Sequence, residues 1–239
     1  MYQGRSVVPV MQSFESTSIW VVCPAYNEAS TIVQVVTGLR QGGYHVVVVD
    51  DGSTDQTHQL ASAIASAVVS HPVNLGQGAA LKTGIDFALQ QGAAVIVTFD
   101  TDGQHRPSDI PRLLDALTRN RADFALGSRF LNPPRGMPRL RRMLLWAATL
   151  FTVATTGLRL TDTHNGLRAF TRRGALSLRL RQNRMAHASE LLAEIARSRL
   201  PYVEVPVTID YTAYSMAKGQ RTGDFVMILL DLLARKLYR

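Results

Sequence analysis

Two acidic residues, Asp100 and Asp102, stand one residue apart at the end of an apolar run, and Gln104 follows two positions later. Carboxylate and amide oxygens at that spacing are hard donors suited to Mg²⁺ or Mn²⁺, whose remaining coordination positions substrate phosphates can fill. An isolated D-x-D is also a common way for a strand to end in solvated acids, so its chemistry depends on what positions it. The residues before it, Val95, Ile96, Val97, Thr98 and Phe99, are β-branched or aromatic without polar alternation, which predicts a parallel strand covered on both faces. In an open α/β sheet the ligand crevice lies beyond the carboxyl ends of such strands, so the acids fall where oxygen chemistry belongs.

The elements around that strand repeat one pattern of strand, polar end and helix. Residues 19–23 predict a first strand closed by Pro24, and Ile32, Val33, Val36 and Leu39 have the apolar spacing of a helix ending at Gly42-Gly43. Residues 46–49 are four valines in a row and predict a second strand. It ends in D-D-G-S-T-D, where Ser53 or Asp55 is expected to cap a helix running to about Ala67. A short strand at Val68-Val69 leads to N-L-G-Q-G-A-A, a turn expected to open a helix through Leu89. Gly76 and Gly78 in that turn would let backbone N–H groups approach a ligand, with Lys82 one turn into the helix. Pro107 starts a further helix to about Asn120, and residues 124–126 predict a strand running into Gly127-Ser128-Arg129. Five strands alternating with helices over residues 19–129 argue a right-handed βαβ sheet.

The second half has a different character. A Pro/Gly loop at residues 132–138 precedes a basic-headed apolar helix over 139–158, then a polar turn, D-T-H-N-G-L-R, before a short strand. Residues 188–198 predict an acidic-faced helix, 203–209 a strand interrupted by Pro206, and 210–223 a polar loop. The last residues, 224–239, read as an amphipathic helix with Arg235, Lys236 and Arg239 at the end that complements the helix dipole. The expected organisation is a flexible leader over 1–18, a domain over 19–223 divided near 129/130, and the C-terminal helix.

Over 239 residues the chain carries a formal net charge of +8, with much of its arginine in the second half. That balance predicts attraction to phosphates, nucleic acid or an anionic membrane surface. The single cysteine, Cys23, excludes an intramolecular disulfide framework and fits a reducing compartment. No signal peptide is expected, and the longest apolar runs fall short of the ~20 residues that span a bilayer. Two familiar readings of strand-end chemistry fail on position. A dehydrogenase needs G-x-G-x-x-G after the first strand, where this chain has P-A-Y-N-E, and a haloacid-dehalogenase-like phosphatase carries its nucleophilic Asp on the first strand rather than about the fourth. A basic nucleic-acid adaptor leaves the concentrated acids without a use, so no nucleic-acid partner is expected.

Taken in order, P-A-Y-N-E, V-V-D-D-G-S-T-D, N-L-G-Q-G-A-A-L-K-T-G, D-T-D-G-Q-H, G-S-R-F and D-T-H-N-G-L-R make a specific combination. It resembles family-2 glycosyltransferases of the GT-A fold, particularly the dolichol-phosphate mannose synthase and bacterial polyprenyl-phosphate glycosyltransferase branch. The resemblance implies an α/β fold with a mostly parallel central sheet flanked by helices, completed by C-terminal amphipathic, interfacial helices. It implies an inverting transfer from a UDP- or GDP-linked sugar to a polyprenyl phosphate by direct displacement. Pro24, Tyr26, Glu28, Asp51, Gly78, Lys82, Asp100, Thr101 and Asp102 would contact the nucleotide sugar. Asp100, Asp102 and Gln104 would carry Mg²⁺ or Mn²⁺ on the diphosphate. Arg129, Arg139, Arg142, Arg168 and Lys218 would meet phosphate, with Arg129 at the acceptor. His164 departs from the Thr/Gly-rich turn of mannose synthases, which leaves the donor sugar open.

The acceptor decides whether a base is needed. A phosphate is already ionised, whereas a sugar hydroxyl of a lipid-linked or cell-surface glycan must lose a proton to a carboxylate within hydrogen-bond reach. Asp162 and Glu190 are the candidates. A polyprenyl acceptor stays in the bilayer, so the enzyme would lie on the cytoplasmic face of the membrane, held by apolar area and cations or by a small anchoring subunit.

Overall fold

The computed structural model describes residues 18–131, 143, 149–150, 152–163, 165–183 and 187–210. Among them seven strands, β1 (Ile19–Ala25), β2 (His45–Asp50), β3 (Ala67–Ser70), β4 (Val95–Thr98), β5 (Phe124–Ser128), β6 (Arg168–Thr171) and β7 (Tyr202–Pro206), form one sheet in the order β3-β2-β1-β4-β6-β5-β7. The helices α1 (Ile32–Gln41), α2 (Thr57–Ser62), α3 (Gln77–Gln90), α4 (Ile110–Arg119), α5 (Arg172–Ser177) and α6 (His187–Ser198) flank it. The expected leader, the loop over 132–138, much of the 139–158 helix, the 211–223 loop and the C-terminal helix lie outside the described residues, as do Arg139, Arg142, His164 and Lys218.

Strand composition dictates a two-sided core. Along β1, Val21 and Cys23 point into one apolar cluster while Trp20 and Val22 point into another, and in β2 Val46 and Val48 alternate with Val47 and Val49 in the same way. The first cluster is closed by Ile32, Val35, Val36 and Leu39 of α1 with Ile110, Leu113 and Leu117 of α4. The second is closed by Ala80, Leu81, Ile85 and Ala88 of α3 with Leu191, Leu192 and Ile195 of α6. A Cβ on Gly84 would come within 2.2 Å of Val22 Cγ1, so a glycine at this position is what lets α3 lie close against β1.

Parallel pairing joins β3, β2, β1 and β4, and it also joins β5 to β7. The expected unbroken βαβ succession ends at β4. β6 comes between β4 and β5 and is antiparallel to both, so β5 pairs with β6 and not with β4. Its register against β4 sets Arg168 beside Thr98, and Thr98 Oγ1 donates to the Gly166 carbonyl at 2.7 Å. The second half of the chain thereby places its own residues directly at the end of the central strand. The chain runs from β1 outward to β2 and β3 on one side and to β4 on the other, so the switch point lies between the carboxyl ends of β1 and β4.

Two local expectations change. The helix after D-D-G-S-T-D ends at Ser62, and Ala67 already belongs to β3. Ser53 does not cap it: its Oγ accepts from Asn27 N at 2.9 Å, while Asp55 Oδ1 accepts from Thr57 N at 2.9 Å. α6 does not present a solvated acidic face either, since Glu194 is buried and paired with Arg197 and Glu190 bonds to backbone.

Candidate active site

Three strand ends meet at the switch point through bonds between side chains and backbone. At β1 the chain turns through Asn27, a non-glycine residue at φ 53°, a conformation tolerated by Asn. Asn27 Oδ1 accepts from Thr54 N at 2.9 Å and Glu28 N donates to Thr57 Oγ1 at 2.7 Å, which fasten P-A-Y-N-E to the loop after β2. Thr101 is buried and donates from Oγ1 to the Pro24 carbonyl at 2.8 Å, tying the D-T-D loop to the same turn. Tyr26 is 42 % exposed, whereas Glu28 is buried and accepts from Thr31 Oγ1 at 3.1 Å.

Asp51 is tied into the turn that opens α3. Its carboxylate is buried and accepts from Leu75 N at 3.0 Å and Gly76 N at 2.7 Å, with His71 Nδ1 2.7 Å away. His71 Nε2 in turn lies 2.9 Å from Thr83 Oγ1. In this arrangement Asp51 shapes the turn that opens α3, because both its oxygens are engaged by that turn. Gly78 is likewise spoken for by protein: a Cβ there would meet Gln182 O at 2.0 Å, and Ala79 N donates to Asn183 O at 3.1 Å. Lys82 pairs with Asp86 one turn on, while Leu81, Ile85 and Ala88 take the buried face of α3.

The two acids differ in their surroundings. Asp100 Oδ1 accepts from Gln77 Nε2 at 2.9 Å, and its Oδ2 lies 3.5 Å from His105 Nε2. Burial would raise the Asp100 carboxyl, but the hydrogen bond and charge of His105, followed by Arg168 and His187, hold it below the ordinary carboxylate range. Asp102 Oδ1 accepts from Gln104 N at 3.0 Å. Burial first, and then the negative charge of Asp100, push the Asp102 carboxyl up to about 6. A divalent cation between the two carboxylates would remove the repulsion that raises Asp102, so this donor set fits Mg²⁺ or Mn²⁺. Among the described residues no group of three or more His, Cys, Asp or Glu could hold a metal ion. Further coordination would have to come from the Gln104 amide, substrate phosphate or water, as is usual for Mg²⁺.

On the other side, buried charges replace neutral hydrogen bonds. Asp162 Oδ2 accepts from Arg129 Nε at 2.6 Å and from Arg129 N at 3.1 Å, and both residues are buried. Arg168 is 4 % exposed and its guanidinium is pushed down to about 10, by burial first, against the opposing pull of Asp100 and Asp162. Arg168 is therefore a buried counter-charge between those two acids. Glu190 Oε2 accepts from Arg181 N at 2.9 Å and Gln182 N at 2.8 Å, which holds the segment that packs on Gly78. Glu204 accepts from Thr161 N at 2.8 Å and Asp162 N at 3.2 Å, which sets the turn carrying Asp162.

Several residues of the site carried no assigned role in the sequence. Gly166 is one: a Cβ there would fall 2.0 Å from Asp100 Oδ2, so the D-T-H-N-G-L-R turn lies directly on the first acid of D-T-D. Asn165, beside it, is buried with Oδ1 accepting from Leu167 N at 3.0 Å and Nδ2 without a hydrogen-bond partner. Gln77 and His105 are the others. Their position inside two recognised motifs was the available signal, but no local pattern says that residues 77 and 100 meet.

A mostly parallel sheet with this switch point, flanked by helices and carrying a carboxylate pair at the end of β4, has the architecture of the GT-A fold. The glycosyl transferase family 2 profile matches residues 20–176, and the chain belongs to that family. It is a glycosyltransferase. UDP-N-acetylglucosamine–dolichyl-phosphate N-acetylglucosaminyltransferase of Methanococcus voltae is 32% identical over 241 residues, covering 92% of this chain and 96% of that one. Undecaprenyl-phosphate mannosyltransferase of Micrococcus luteus is 32% identical over 222 residues, covering 87% and 89%. The fold is similar to that of glucosyl-3-phosphoglycerate synthase from Mycobacterium tuberculosis in complex with Mn²⁺, UDP-glucose and phosphoglyceric acid, with a TM-score of 0.67 at 20% identity over 98% of this chain and 85% of that one. No helix among the described residues is long and apolar enough to cross a membrane.

Proposed function

We propose that this transferase moves a sugar, with inversion, from a nucleoside diphosphate sugar to a polyprenyl phosphate at the membrane surface. The observation that carries the choice of acceptor is that both candidate bases are already engaged as acceptors: Asp162 by Arg129 N and Nε, Glu190 by the amides of Arg181 and Gln182. Each is committed through one oxygen, Asp162 Oδ2 and Glu190 Oε2, to holding local structure, whereas a hydroxyl acceptor needs a carboxylate aimed at its proton and a phosphate needs none. The names of the Methanococcus and Micrococcus relatives, which specify dolichyl and undecaprenyl phosphate, support the same reading.

In the proposed reaction an acceptor phosphate oxygen attacks the anomeric carbon while its bond to the β-phosphate oxygen breaks, and the nucleoside diphosphate departs with the electron pair. Tyr26, Pro24 and Glu28 line the donor end, with Thr101 fixing the D-T-D loop against them and Asp51 shaping the facing turn. Asp100, Asp102 and Gln104 would hold Mg²⁺ or Mn²⁺, which supplies Lewis-acid neutralisation of the leaving diphosphate. Arg129, held in place by Asp162, lends positive charge to the acceptor side, with Arg139, Arg142 and Lys218 as further phosphate contacts. Residues 19–129 form the donor half and 130–223 the acceptor half in this scheme. The 224–239 segment, or a small membrane subunit, keeps the enzyme on the cytoplasmic face.

The test is transfer of label from a panel of radiolabelled UDP- and GDP-sugars to undecaprenyl phosphate in detergent, with Mg²⁺ or Mn²⁺. Metal-dependent labelling of the lipid, abolished in a folded Asp102→Ala variant, is the expected result. Donor hydrolysis with no labelled lipid would transfer the assignment to a hydroxyl acceptor, and full turnover by Asp102→Ala would remove the metal from the scheme.

A further inference from the structure

Asp100 is braced from two directions by side chains outside the proposed ligand set. Gln77, the first residue of α3, donates from Nε2 to Oδ1 at 2.9 Å, and His105 Nε2 lies 3.5 Å from Oδ2. The Oδ2 edge also rests against Gly166, where no side chain fits. Each brace is itself fixed by the fold. Gly76, at φ 106°, is held by the Asp51 carboxylate immediately before Gln77, and Ala79, two residues after it, is bonded to Asn183. The His105 ring is 7 % exposed and packs edge-on against Phe99 at 5.6 Å, while His105 bridges Ile209 across the sheet end.

The tautomer of His105 follows from what surrounds it. Its Nδ1 is buried without a hydrogen-bond partner. An orphaned buried N–H is rarer than an under-satisfied acceptor, so the ring proton belongs on Nε2, directed at Asp100. His105 is then not a ligand itself, and Gln77 spends its Nε2 on Asp100 Oδ1. The terminal torsion of an Asp side chain has broad, roughly two-fold wells, and its orientation must be set from outside.

We propose that Gln77 and His105 are positioning residues that fix the rotation of the Asp100 carboxylate, so that it can share a divalent cation with Asp102. The inference rests on the metal reading given above. Hydrogen-bonding partners of a ligating group typically control metal affinity by about 10–100-fold, and they do so without touching the metal.

Direct Mn²⁺ binding to the purified full chain, followed by electron paramagnetic resonance of the free ion and set beside urea denaturation of each variant, tests the proposal. Gln77→Leu and His105→Leu are expected to weaken Mn²⁺ binding by about 10–100-fold while remaining folded. Gln77→Asn, one methylene too short to reach Oδ1, should weaken it similarly without placing an apolar group beside the acid. His105→Gln, whose amide N–H can stand near the Nε2 position, should recover most of the affinity, and His105→Asn, which matches Nδ1 instead, should not. Wild-type Mn²⁺ affinity in folded Gln77→Leu and Gln77→Asn proteins would overturn the positioning role while leaving the metal site intact. Failure of the unmodified chain to bind Mn²⁺ would instead bring down the metal reading and this inference with it.

Discussion

The donor-side loops and the acceptor-side segment of the same site are held by different forces. Around β1, β2 and β4 the loops are fastened by side chains bonded to backbone groups: Thr101 to the Pro24 carbonyl, Thr57 to the Glu28 amide, Asp51 to the amides of Leu75 and Gly76. Between β5 and β6 the fastening is ionic, with Arg129 on Asp162 and Arg168 between Asp162 and Asp100. The threonine bonds to backbone set loop shape and place no net charge at risk when one partner is lost. A buried ion pair is different, because removing one member leaves the other charged and desolvated. The acceptor side should therefore be the more fragile half of the site.

The largest effect expected from that contrast is at Asp162. Asp162→Ala leaves Arg129 buried without its counter-charge and should cost about 3–5 kcal/mol in urea unfolding, with loss of transfer activity. Replacing the pair together, as Arg129→Met with Asp162→Leu, should restore much of the stability but not the activity. A single variant as stable as the wild type would show that the acceptor side is not held by charge and would dissolve the contrast.

A second substitution works where the two sides touch. Gly166→Ala puts a methyl group at the position 2.0 Å from Asp100 Oδ2, so the carboxylate or the turn must shift. A displacement of about 1 Å in a reacting constellation can cost ~100-fold in rate, and that is the expected fall in turnover, with circular dichroism unchanged. Undiminished turnover would mean that the geometry of Asp100 is not tied to the D-T-H-N-G-L-R turn.

How much of this was legible in the sequence follows the same division. The strands β1, β2 and β4, their helices and the end-of-strand acids were readable because all-apolar runs ending in Asp, Asn, Ser, Thr or Gly carry local signatures of strand and turn. The insertion of β6 between β4 and β5 was not, since a four-residue strand at Arg168–Thr171 shows its pairing only in three dimensions. The Arg129–Asp162 pair spans 33 residues and has no spacing rule behind it. The burial of Arg168 between Asp100 and Asp162 is likewise a feature that residue type alone does not carry. Lys82 is the opposite case. The phase of α3, with Leu81, Ile85 and Ala88 inward, puts its side chain on the exposed face beside Asp86.

The smallest expected effect therefore checks the donor side. Lys82 and Asp86 are both about half exposed and form a surface ion pair one helical turn apart. Pairs of that kind contribute up to about 1 kcal/mol, are screened by salt, and are often worth nothing measurable. Lys82→Ala should change unfolding stability by no more than about 0.5 kcal/mol and leave the KM for the nucleotide sugar unchanged. A severalfold rise in that KM, with kcat and stability intact, would mean that the lysine swings from Asp86 to the donor phosphates. The donor side would then also use a cation, and the division between a side held through backbone bonds and a side held through charge would no longer describe this site.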